Sequence, residues 1–229
     1  MITGNQPKGF TLLELLVVIA IIAILAAVVL TALNPAELMM RSRDAVRLND
    51  LDMLRAAISA YTFDQSASST FNLTADSGTT HHDFCKGGAT KKVYLSTSAG
   101  AATTPPGDWT LKLATSTHER DSDGNGWVPI NFSAVTLGIK LPVLPVDPVN
   151  SANDNVAAGS HFYYSYVCDK TNLTFTLIAN MESNAFKNGG TQDAESKDGG
   201  RFSGLHESGS SLSIFDAGAT TTVNWYQGQ

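Results

Sequence analysis

The sequence predicts an α+β fold, with one long N-terminal helix, apolar in its first half and amphipathic in its second, packed on a small antiparallel β-sheet. Three observations predict it. Residues 10–33 form an apolar run with a single charge, residues 36–61 repeat apolar side chains at helical spacing, and short alternating runs among turn-prone polar segments fill the remainder of the 229-residue chain.

The apolar run, FTLLELLVVIAIIAILAAVVLTAL from Phe10 to Leu33, reaches about 36 Å as a helix, enough to cross a hydrocarbon layer of about 30 Å. Its β-branched residues Val17, Val18, Ile19, Ile21 and Ile22 are poor helix formers in water, but in lipid the backbone has no partner except itself. A secretory signal peptide has a short apolar core followed by a small-residue cut. This run is long, starts almost at the first residue and continues into Asn34 and Pro35. An ordinary membrane anchor, in turn, has no reason to carry Glu14 one turn inside the span, where a carboxylate costs about 2.5–3.5 kcal/mol. An acid at that depth asks for a partner.

Lys8, Gly9, Phe10, Thr11, Leu12, Leu13 and Glu14, read as KGFTLLE before the apolar run, resemble the class III signal of type IV prepilins and type II secretion pseudopilins. The resemblance implies a leader at residues 1–9, a transmembrane half at 10–33, an amphipathic half at 34–64 and an exported α+β head at 65–229. It implies cleavage between Gly9 and Phe10 by a prepilin peptidase, N-methylation of Phe10, and assembly through Glu14, paired with the new amine of a neighbouring copy. The implied partners are copies of itself, other pilins or pseudopilins, the peptidase and an assembly platform in the cytoplasmic membrane. The implied location is that membrane, single-pass with the head exported, and then a filament. Arg41, Arg43 and Arg47 follow the span while the leader offers only Lys8, so positive-inside counting favours the opposite orientation. The specific signal outweighs that statistical rule.

From Ala36 onward, Leu38, Ala45, Leu48, Leu51, Leu54, Ile58 and Tyr61 recur on one helical face. The pairs Asp44/Arg47 and Asp52/Arg55, three residues apart, read as parts of a solvated face. After Asp64 the chain loosens, and strands are expected at KKVYLST, WTLKLAT, HFYYSYVC, LTFTLIANM and TTTVNWYQ. The third and fourth are separated by DKTN and read as an antiparallel hairpin. LPVDP, Leu144 to Pro148, is similar to a proline-and-aspartate turn found before the last strands of many pseudopilin heads. Cys85 and Cys168 are the two cysteines; the alternatives for them are a disulfide and two buried free thiols.

Asp121, Asp123 and Asn125, in DSDGNG, fit the first half of a calcium loop, but Phe132 stands where a bidentate Glu belongs. Calcium and a plain Asp/Gly turn are the two readings. Asp193, Glu195 and Asp198 form a second acidic group, and His81, His82, Asp83 and Cys85 lack zinc spacing. No GxSxG, HExxH, P-loop or GxGxxG is present, so no catalytic role is expected. A net charge of -6 argues against nucleic acid as a partner. The sequence thus describes a structural subunit of a type IV pilus or a type II secretion pseudopilus. The alternative is a membrane-tethered binding domain, such as a DNA-uptake or adhesion minor pilin outside the main filament.

Overall fold

The apolar run forms helix α1, Leu12–Leu33, and the amphipathic run forms α2, Pro35–Gln65. The break between them is local chemistry. Asn34 turns left-handed at φ 40° and ends α1, a conformation that Asn tolerates better than most residues. Pro35, whose missing N–H costs nothing at a first helical position, opens α2, and the Asn34 side-chain oxygen accepts the N–H of Glu37 at 3.4 Å. These are features of a computed structural model that describes residues 9–65, 71–74, 84–88, 90–98, 108–136, 141–150 and 162–215, without the side chains of residues 31 and 32. The chain divides into two compact units, Met1–Met40 and Arg41–Gln229.

In the second unit the sheet comprises β1 (Lys92–Leu95), β2 (Thr110–Leu113), β3 (Ser165–Asp169), β4 (Thr174–Ala179) and β5 (His206–Gly209), in the order β2-β1-β3-β4-β5. The β3–β4 hairpin forms as the alternation predicts, with Tyr166 opposite Leu177 and Cys168 opposite Phe175. Its turn is closed by Asp169, whose Oδ1 accepts the N–H groups of Thr171 and Asn172. The sheet is mixed rather than wholly antiparallel, because β1 and β2 run parallel. Residues 96–109 separate the two strands in sequence, a spacing long enough for the connection of about a dozen residues that parallel neighbours require. The expected strand at TTTVNWYQ lies outside the described residues, as do His81, His82 and Asp83.

Both faces of the sheet are buried along β1, β3 and β4, while β2 is partly exposed. Tyr166, Cys168, Phe175, Leu177 and Ala179 pack against Leu51, Leu54, Ala57, Ile58 and Tyr61 of α2, while Val93, Leu95, Val167 and Ile178 pack under Trp109, Phe202, Leu205 and Phe215. The helix presents this face at 44, 47, 51, 54, 58 and 61, in steps of three and four. Its first two positions are not the expected apolar ones: Leu38 is 49% exposed and Ala45 is exposed, whereas Asp44 and Arg47 are fully buried. The solvated-face reading of Asp44 and Arg47 is therefore wrong; Asp52 and Arg55 are exposed as expected.

Cys85 and Cys168 are disulfide-bonded across 83 residues. The segment around Cys85 runs beside the end of β3, with Lys86 donating to the Cys168 carbonyl at 2.8 Å and accepting from the Lys170 N–H at 2.9 Å. Replacing both cysteines by Ala lowers the stability of the head by about 4 kcal/mol in the loop-entropy model. Urea unfolding of the detergent-solubilised chain, followed through Trp109 and Trp127, measures it. An unchanged midpoint contradicts the expectation.

Candidate functional site

The sequence-predicted site lies at the start of the first unit. Gly9, Phe10 and Thr11 precede the helix in non-helical backbone, and Phe10 is 80% exposed. No described atom lies within 4 Å of a Cβ built on Gly9, so the described fold itself does not demand glycine there. Thr11 is the N-cap, in extended backbone at φ -83° and ψ 150°. Its Oγ1 accepts the Glu14 N–H at 3.2 Å, and Glu14 Oε2 accepts both the Thr11 N–H and the Thr11 hydroxyl at 2.9 Å. This capping box satisfies two of the donors that every helix start leaves open.

Beyond Glu14, α1 carries no other charged residue and no buried face. Its large apolar side chains range from 46% exposed at Val17 to 82% at Leu12. Leu12–Leu30 is long and apolar enough to cross a membrane. A helix that is apolar all round belongs in lipid or among other helices.

The second unit begins with a polar centre that sequence reasoning missed. Arg47, fully buried, donates through Nε and Nη2 to the two carboxylate oxygens of Asp147 at 2.7 and 2.9 Å, and through Nη1 to Asp44 at 2.7 Å and Glu182 at 3.3 Å. Its guanidinium also lies 4.6 Å from the centre of the Phe162 ring. Arg43 forks onto Glu182 through Nε and Nη2. The acids are tied down in turn. Asp44 accepts the Glu182 and Ser183 N–H groups, both at 2.8 Å, and Asp147 accepts those of Val149 and Asn150. Burial works against the Arg47 charge, and the Asp147 and Asp44 bonds outweigh it, so its pKa rises above the ordinary Arg value. Glu182 is held below the usual carboxylate range, chiefly by its bond from Arg43. One helix residue thus gathers two distant loops, 147–150 and 180–183. Counting back four from Leu51 reaches Arg47, and three more reaches Asp44, which is the signal that locates them. The Asp147 partner was visible only as the aspartate of LPVDP.

The DSDGNG loop, read as either a calcium loop or a plain Asp/Gly turn, is held by bonds among its own residues. Asp121 faces His118 at 2.6 Å, and Asp123 accepts the backbone N–H and the side-chain amide of Asn125 at 3.0 and 3.1 Å. A Cβ on Gly126 would lie 2.0 Å from the Asp121 carbonyl, so tight backbone contact accounts for that glycine. The acidic group at 193–198 also organises backbone: Asp193 accepts from Gly189, Glu195 and Ser196, Glu195 from Met181 and Asn188, and Asp198 from Gly200 and Glu207. Among the described residues no group of three or more His, Cys, Asp or Glu is arranged to hold a metal ion.

Strand β5 was missed because HESG reads as loop. Its buried acid, Glu207, accepts the Phe202 N–H at 2.8 Å and lies within the influence of Asp198 and Arg201. Gly209 passes so close to β4 that a Cβ there would lie 2.2 Å from the Phe175 carbonyl. Burial, with the Asp198 charge adding to it, pushes the Glu207 carboxyl up to about 7.

Among the described residues the geometry gives one apolar helix of membrane-crossing length, whose sole acid caps its own start, and a disulfide-bonded α+β unit, an arrangement consistent with a single-pass anchor. Residues 5–30 match the family model described as the prokaryotic N-terminal methylation motif. No curated protein and no solved structure matches the chain. Motif and apolar helix together fit the precursor of a type IV pilin-like protein, of pilin or pseudopilin type.

Two outcomes test the head. Arg47→Met leaves three carboxylates around an apolar side chain and lowers stability by about 3–5 kcal/mol in urea unfolding, the cost of stranding one side of a buried ion pair; an unchanged midpoint contradicts it. Glu207 binds its proton more tightly folded than unfolded, so its contribution is complete below its ordinary value of 4.5 and is lost as pH rises through about 7. Glu207→Gln flattens that part of the stability profile, measured as midpoint against pH from 4 to 8; an unaltered slope refutes the assignment.

Proposed function

We propose that this chain is a filament subunit, of a type IV pilus or a type II secretion pseudopilus, made as a precursor and assembled through α1. A prepilin peptidase cuts between Gly9 and Phe10 at the cytoplasmic face, Phe10 is N-methylated, and the apolar helix stays on the mature protein. The observation that carries this reading is Glu14, the one charge in a helix of 22 residues, placed one turn from the bond whose cleavage creates a cation. In lipid the acid is costly in a lone subunit. Paired with the Phe10 amine of a neighbouring copy, it becomes an assembly signal that fixes register.

Other features support the same reading. Gly9 meets no described neighbour that excludes a side chain, so its selection points to an outside agent such as a protease that needs clear approach. The Cys85–Cys168 disulfide belongs in an oxidising compartment, hence on the exported side of the membrane. Of the three arginines after the span, Arg43 and Arg47 are engaged by Glu182, Asp44 and Asp147, so in the folded head these charges are balanced. The proposed partners are copies of the chain, related pilins, the peptidase and a membrane assembly platform.

Glu14→Ala separates a filament subunit from a domain merely tethered by an apolar anchor. In producing cells, the filament reading expects Glu14→Ala to be made, exported and oxidised at Cys85–Cys168 while recoverable filaments fall sharply. Filament yield equal to that of the unaltered chain would favour the tether.

A further inference from the structure

The sheet ends on two edge strands, β2 and β5, and they are not alike. In β5 the N–H of Glu207 is taken by Asp198 Oδ2. In β2 the N–H of Thr110 donates to the Lys91 carbonyl, and that of Ala114, just past the strand, donates to the Leu95 carbonyl. Residues 110, 112 and 114 therefore face β1. Strand alternation turns the N–H and C=O groups of Leu111 and Leu113 the other way, and among the described residues no hydrogen bond engages them. Both leucines are half-buried against the cluster that holds Trp109, Phe202 and Phe215. Open backbone beside apolar packing is costly and invites another strand.

The described residues end against this edge. Phe215 is buried, its ring centre lies 5.1 Å from that of Trp109, the residue before β2, and its carbonyl accepts from Arg201 Nη1 at 3.1 Å. Residues 216–229 follow. Asp216, Ala217, Gly218 and Ala219 are a turn-prone run, and TTTVNWYQ at 220–227 is rich in residues that favour strands. The five steps from Phe215 to Thr220 span up to about 17 Å, against about 4.8 Å between neighbouring strands. The geometry points to residues 220–227 as a sixth strand, hydrogen-bonded to the outward groups of Leu111 and Leu113. β5 is the poorer acceptor, because Asp198 already occupies its Glu207 N–H. The pairing lies within one chain and does not depend on the filament reading. It leaves β2 with no open edge on which a second copy could pair.

The test is hydrogen exchange, resolved to single amides, of the detergent-solubilised full-length chain, of a chain ending at Ala217, and of Val223→Pro and Asn224→Pro. One of the two prolines removes an inward N–H whichever register holds. In the unaltered chain the amides of Leu111 and Leu113 exchange slowly, and so does every second amide of 220–227. In the shortened chain and in one proline variant the Leu111 and Leu113 amides exchange about tenfold or more faster, the scale of one lost hydrogen bond, while β3 and β4 stay protected. Uniformly fast exchange across 220–227 in the unaltered chain overturns the assignment, and that readout stands even if every variant unfolds. Slow Leu111 and Leu113 amides in a shortened chain that keeps its β3–β4 protection overturn it too, because another part of the chain then covers the edge. Protection that disappears on dilution also overturns it, since the strand then comes from a second copy.

Discussion

A helix that is apolar on every side cannot remain in water, and α1 is such a helix over nearly its whole length. The rest of the chain is organised under that constraint. Lipid or a bundle of like helices must take α1, so its single acid has to be satisfied at each stage. The capping box with Thr11 does so within the subunit. On the proposed function, a cation generated one turn away by cleavage is the partner that stacked copies would share. On the same proposal, the placement of Gly9, Phe10, Thr11 and Glu14 follows from handling one charge in hydrocarbon.

The second unit solves a different problem, which is to hold a long helix on a sheet of short strands with broad loops. Apolar packing by Leu51, Leu54, Ile58 and Tyr61 supplies contact area along α2, but such packing is tolerant of small slips. The Arg47 fork is not. Two oxygens of Asp147 and one each of Asp44 and Glu182 fix the helix in rotation and along its axis. A buried ion cluster of this kind adds little net energy relative to a well-packed apolar one, and its contribution here is register. The disulfide and the bonds from Tyr61 and Tyr166 to the backbone of 72 and 73 restrain loops that have little regular structure of their own.

What could be read from the sequence divides along physical lines. The membrane-length helix and the β3–β4 hairpin are written in local pattern, and each appears where the pattern places it. The capping box belongs to the same class, since Thr and Glu three residues apart before an apolar run is a helix-start signature. The polar centre was missed because charged residues on a helix are ordinarily solvated. Arg47 and Asp147 stand 100 residues apart, and no local rule pairs them. Strand β5 hides in HESG because its buried Glu207 is satisfied by backbone N–H groups that only the folded loop supplies. The parallel β1–β2 pairing is a long-range choice that no residue pattern within either strand announces.

Everything assigned to the N-terminal segment turns on whether the chain is cut at the bond that makes an amine next to Glu14. The most direct measurement is the N-terminal sequence and intact mass of the protein isolated from membranes of producing cells. A chain beginning at N-methylated Phe10 with the apolar helix retained is the expected result. A chain still beginning at Met1, or one cut beyond Leu33, would contradict it.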